Sequence, residues 1–108
     1  MKKLFISQPM VDKTDEEILK EREIAVLEVK QLLNEEVVLI DSFCNEELTP
    51  LGYLAYSINC LSMADVAYFS KGWQDYRGCT IEYDCARKYG IKTILSEFDA
   101  HKTIVKKD

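Results

Sequence analysis

Short apolar runs alternate along this chain with longer amphipathic stretches. Lys3 to Ser7 (KLFIS) is the first run, and Gln8-Pro9-Met10 stops it, because proline cannot extend a central ladder. Thr14-Asp15-Glu16-Glu17 then has capping-box spacing: Thr14 accepts from the amide three residues on, and Glu17 reaches back. The predicted helix, to about Leu33, aligns Ile18, Arg22, Ala25, Val29, Leu32 and Leu33 on one side. Glu16, Lys20, Glu23 and Lys30 are left to water. Val37 to Ile40 is apolar without alternation, the pattern of a strand buried on both faces. Thr49 and Pro50 suit the N-cap and first turn of a second helix, from about Leu51 to Met63, with Leu54, Ile58 and Leu61 toward the core. Val66 to Phe69 predicts a third strand, and Ser70 to Arg77 a loop. A third helix follows from about Cys79 to Lys88, closed by Gly90. Ile91 to Leu95 predicts a fourth strand, and Ile104-Val105 either adds a short fifth at an edge or docks on a partner.

Strands alternating with helices predict one domain over residues 1–108, an α/β three-layer sandwich of flavodoxin-like or Rossmann-like type. Its parallel sheet has four to five strands, with helices on both faces. In the flavodoxin-like order, strands one and three are neighbours whose connections leave in opposite directions. A crevice then opens at their carboxyl ends. The loops that meet there are Gln8-Pro9-Met10 and Ser70 to Gly78.

Composition narrows the partners. A formal net charge of −5 argues against a nucleic-acid backbone as the main partner, which needs concentrated Lys and Arg. No apolar run approaches a membrane span, and Lys2-Lys3 leads straight into a strand without a signal peptide. The expectation is a soluble, cytoplasmic protein with no membrane partner. Cys44, Cys60, Cys79 and Cys85 include no C-x-x-C pair, and His101 stands far from them. They read as reduced thiols rather than zinc ligands.

The chemistry concentrates between Ala64 and Gly90. Glu82 sits early in the third helix, with Gly78, Cys79, Cys85 and Ala86 as small neighbours. It is either a nucleophile or an ordinary acid favoured by the helix dipole. Asp75 is either a second catalytic carboxyl or a solvated or N-cap acid. Gly72 and Gly78 permit tight turns and close approach. Trp73 and Tyr76 either stack on a nucleobase or serve as lid or interface residues. Arg77 meets a phosphate or pairs with an acid. Asp65 is expected to hold the loop by hydrogen bonds.

FISQPM (Phe5 to Met10), ADVAYF (Ala64 to Phe69) and DYRGCTIEYDCARKYG (Asp75 to Gly90) resemble, in order, the motifs of the nucleoside 2-deoxyribosyltransferase family. The most specific part is the spacing of Gly78, Glu82 and Ala86. The chain looks like a compact branch of that family, of the sort found in phages and prophages. The resemblance implies that Glu82 attacks the anomeric carbon of a 2-deoxynucleoside or its 5′-monophosphate. The base leaves, and a second base or water takes the sugar with net retention. It also implies a homo-oligomer, in which a neighbour helps close the pocket, and no metal or organic cofactor. The family's acid falls on Tyr76, with Asp75 one position earlier. A further family carboxylate falls on Ser57, a strand-one tyrosine on Phe5 and a loop glycine on Gln8.

The resulting site has Glu82 and Asp75 as catalytic residues. Ser7, Gln8, Pro9, Met10, Ser57, Gly72, Trp73, Arg77 and Gly78 bind a small nucleoside or nucleotide. Ser57 and Arg77 favour a phosphorylated one. The acids missing at Ser57 and Tyr76 leave open a second function: a non-catalytic module that senses or sequesters a nucleotide in the same crevice.

Overall fold

A computed structural model describes residues 1–96. Four strands, β1 (Lys2–Ser7), β2 (Val37–Leu39), β3 (Val66–Phe69) and β4 (Lys92–Leu95), alternate with three helices, α1 (Asp15–Leu33), α2 (Pro50–Leu61) and α3 (Arg77–Lys88). All strand pairs are parallel, in the order β2-β1-β3-β4. This is the three-layer α/β sandwich that the alternation predicted. Ile104-Val105, the expected fifth strand, and His101 lie outside the described residues.

Strand alternation divides the core in two. Leu4, Ile6, Val37, Val66 and Tyr68 point to one face, where Ala25 and Val29 of α1 cover them. Phe5, Ala67 and Phe69 point to the other, against Cys60 and Leu61 of α2 and Cys79 and Ala86 of α3. Burying a side chain such as Phe5 or Leu4 contributes about 1.5–3 kcal/mol relative to leaving it in water. At the crevice end, Ser70 N donates to Ser7 O and Ser96 N to Phe69 O, both at 2.9 Å. The carboxyl ends of β1, β3 and β4 are therefore held in register where the loops depart.

Local signals set most element starts. Thr14 accepts from Glu17 N at 3.1 Å and Glu17 Oε1 accepts in return from Thr14 N at 3.0 Å, completing the capping box. Thr49 accepts from Gly52 N at 3.0 Å and caps α2. Gly90 follows α3 at φ 73°, a left-handed conformation that glycine adopts without strain. The third helix starts two residues earlier than expected. Trp73–Asp75 forms a short 3₁₀ turn, Tyr76 is extended, and the helix begins at Arg77 without a side-chain cap, so no capping residue marked the start.

Two burial expectations are corrected. β2 is not buried on both faces: Val38 is 47% exposed, because β2 is the edge strand and α2 covers only the inner strands on that side. Leu32 is 52% exposed, since the buried line of α1 runs through Ile18, Arg22, Ala25 and Val29 and leaves by the partly buried Leu33. Leu54 and Ile58 are partly buried and only Leu61 is fully so. No helix among the described residues is long and apolar enough to cross a membrane.

These corrections predict a contrast. Leu4→Ala should cost about 2–5 kcal/mol of stability, whereas Leu32→Ala should stay within about 0.5 kcal/mol. Urea unfolding of the two variants checks this, and equal losses would contradict the burial pattern.

Candidate functional site

The last residues of β1 build the site from both sides of the sheet. Phe5 faces α2 and α3, so alternation sends Ser7 the same way and Gln8 toward α1. Ser7 Oγ donates to Glu82 Oε1 at 2.6 Å. Ser7 is 2% exposed and Glu82, in the second turn of α3, 6%. Burial pushes the Glu82 carboxyl above the usual glutamate range; the Ser7 hydrogen bond, and after it the nearby Ser57 hydroxyl on α2, pull the other way. Cys79, one turn before Glu82 on the same helix, is a buried thiol raised by burial, with the Ser7 hydroxyl opposing. The structure thus brings together Ser7, Ser57, Cys79 and Glu82 from β1, α2 and α3.

The amino end of α3 lies one turn away. The first intrahelical bond there runs from Thr80 N to Tyr76 O, so the amides of Arg77, Gly78 and Cys79 precede it. Arg77 is exposed at the first helical position, where a cation opposes the dipole, and it has no ion pair among the described residues. Gly78 has no positive φ, and an added Cβ would meet only Leu54 Cδ1, at 4.0 Å. The fold has room for a side chain at this position. Asp75 is exposed and makes no side-chain hydrogen bond among the described residues, and its charge is not among the causes of the Glu82 shift.

Gln8 turns to the opposite face, and both ends of its amide are occupied. Its Nε2 donates to Glu21 Oε1 at 2.9 Å, and its Oε1 accepts from Arg22 Nε at 2.7 Å. Arg22, 4% exposed, also donates to Ser42 Oγ at 3.0 Å and lies 4.4 Å from the Phe43 ring centre. Burial lowers the pKa of its guanidinium, and the Asp41 charge works against that. Lys13 closes the group on Glu21 at 2.8 Å. Arg22 therefore joins the loops after β1 and β2. Its position on the apolar line of α1 was the signal for it, since a buried arginine needs acceptors.

The remaining candidates scatter. Trp73 is a core residue, stacked on Tyr83 with ring centres 4.6 Å apart and tilted on Phe69 at 5.4 Å. Its ring is engaged within the fold and is not a platform for a base. Gly72, at φ 86°, makes the turn into the 3₁₀ segment. Pro9 is buried, while Met10 and Tyr76 are exposed. Asp65 does not hold the loop: it accepts from Lys3 N at 2.8 Å, at the opposite, amino-terminal edge of the sheet. A depression of about 240 Å³ on the α1 face, lined in part by Glu21, Ile24, Tyr68 and Ser70, does not include Glu82.

These features define a parallel α/β protein with a buried, hydroxyl-bonded glutamate beside the point where its chain connections diverge. The chain belongs to the family described as Domain of unknown function (DUF4406), whose family model matches residues 2–95. Comparison with curated proteins gave no match.

The raised Glu82 pKa has a consequence for stability. Unfolded, Glu82 ionises near 4.5; folded, it keeps its proton to higher pH. Between the two values the folded state binds more protons, so stability falls as pH rises through that window and stays lower above it. Glu82→Gln removes the loss. It should melt at higher temperature than the parent at neutral pH, with the difference shrinking as pH falls toward 4.5. Thermal unfolding across pH checks this, and a variant less stable at neutral pH would contradict it.

Proposed function

We propose that the chain is an N-glycosidic enzyme acting on 2-deoxynucleosides or their 5′-monophosphates, with Glu82 as nucleophile. The observation that carries this reading is a buried carboxyl hydrogen-bonded by Ser7, with no cation beside it among the described residues, at the carboxyl end of a parallel sheet. A Glu82 oxygen attacks C1′ as the bond from C1′ to the base breaks, and the bonding pair leaves with the base, which takes up a proton from solvent water. Water or a second base then attacks C1′ and releases the carboxylate, with retention after two inversions. Low polarity around the carboxylate raises its energy before attack.

The amino end of α3 supports a phosphorylated substrate. Three amides precede the first helical bond, and Arg77 stands beside them without an ion pair among the described residues. Gly78 supports close approach of a ligand. Glycine in a helix costs about 0.5–1 kcal/mol relative to alanine, and neither φ nor packing requires it at this position.

The purified protein, incubated with a panel of deoxynucleosides and 5′-monophosphates, with and without a second free base, should release base or exchanged nucleoside. Glu82→Ala should abolish turnover. The same activity in Glu82→Ala, or none in the parent across the panel, would reject the proposal. Gly78→Ala should raise the melting temperature of the free protein while weakening ligand binding at least tenfold, read by calorimetry. Binding unchanged in that variant would remove Gly78 from the site.

Two observations favour a second reading, a non-catalytic module that senses or sequesters a nucleotide in the same crevice. Glu82 is nearly enclosed, and Asp75 does not join it. Nucleotide binding without turnover, unaffected by Glu82→Gln, selects this reading.

A further inference from the structure

Ser7 was expected among the residues that hold the substrate, but its surroundings give it another task. Its backbone is fixed on one side by β3, through the Ser7–Phe69 register and the 2.9 Å bond from Ser70 N to Ser7 O. The next residue, Gln8, is fixed from the other face by Arg22 at 2.7 Å and Glu21 at 2.9 Å. The Ser7 side chain is buried, and its single hydroxyl proton is directed to Glu82 Oε1 at 2.6 Å, a short, charge-assisted geometry. We propose that Ser7 is the positioning residue of Glu82, its hydroxyl fixing the orientation of the carboxyl rather than binding the substrate. This rests on the reading of Glu82 as nucleophile.

The neighbours leave this task to hydroxyls. Among the described residues, the titratable side chains that feel the Glu82 charge are two thiols, Cys79 on its own helix and Cys60 on α2. No Lys or Arg among the described residues adds a favourable charge. The groups that favour its ionised form are the hydroxyls of Ser7 and Ser57, Ser7 the stronger. Ser7 reaches the carboxyl from a central strand, the most constrained backbone nearby, and Ser57 from the partly buried face of a helix. A carboxylate without Ser7 would keep its proton to higher pH and would lose one fixed rotamer. Both effects reduce attack on C1′ without removing a contact to substrate.

The test uses the full chain with ¹³C-labelled glutamate carboxyls, the Glu82 signal being assigned by its loss in Glu82→Gln. Ser7→Ala should raise the Glu82 titration midpoint by about one pH unit or more, the effect of one hydrogen bond to a charged group. Ser57→Ala should raise it less, and Ser7→Thr, which keeps a hydroxyl, should restore the parent midpoint. On a deoxynucleoside or deoxynucleotide turned over by the parent, Ser7→Ala should lower kcat about 10- to 100-fold with KM within about twofold. A folded Ser7→Ala protein with an unmoved midpoint overturns the proposal. So does a variant whose KM rises at constant kcat, since Ser7 would then be a substrate contact. A shifted midpoint in a protein that turns over no substrate supports the orienting contact and rejects Glu82 as nucleophile.

Discussion

Parallel pairing of β1 with β3 is the constraint on which the rest depends. A parallel neighbour cannot be reached by a tight turn, so each connection must cross the sheet, and each crossover is right-handed. With β2 on one side of β1 and β3 on the other, that handedness puts α1 on one face and α2 and α3 on the opposite face. The connections diverge at the carboxyl ends of β1 and β3. Adjacent residues at the end of β1 then serve different faces by strand alternation. Ser7 meets α3 at Glu82, and Gln8 meets α1 at Arg22. One peptide unit thus couples the candidate chemistry to a structural brace.

Two charged side chains are buried near that peptide, and their partners separate their roles. Arg22 has an amide oxygen, a hydroxyl, an aromatic face and the nearby Asp41 charge, all drawn from loops it must hold together. Desolvating it is offset by partners the fold provides, and the return is a fixed arrangement of the loops after β1 and β2. Glu82 has hydroxyls and, among the described residues, no cation. A buried acid in that state makes the fold less stable at neutral pH than a neutral residue of the same shape would. That cost is the physical reason why Glu82, rather than Arg22, is taken as the candidate catalytic group.

Glycine usage draws the same division. Gly72 and Gly90 sit at positive φ and are explained by their turns. Gly78 is not: it lies inside α3, in ordinary helical territory, with space beside it. The aromatic residues divide too, since Trp73 is engaged with Phe69 and Tyr83 inside the core.

Much of this was legible along the chain because it depends on local spacing. The capping box at Thr14, the N-cap at Thr49, the left-handed Gly90 and the alternation of strand with helix are each written in a few neighbouring residues. Right-handed crossovers turn that alternation into a sheet. Glu82 and Gly78 were legible for the same reason, as a spacing within one helix. The sequence could not decide which side chains meet across elements. Ser7 and Glu82 are 75 positions apart, and only the β1–β3 register together with the packing of α3 brings the hydroxyl to the carboxyl. Arg22 was visible on an apolar line, but its acceptors come from two other loops. Trp73 looked available because a loop aromatic carries no mark of which face packs. The exposure of Val38 followed from its place at the sheet edge, a property of strand order that no single run of residues encodes.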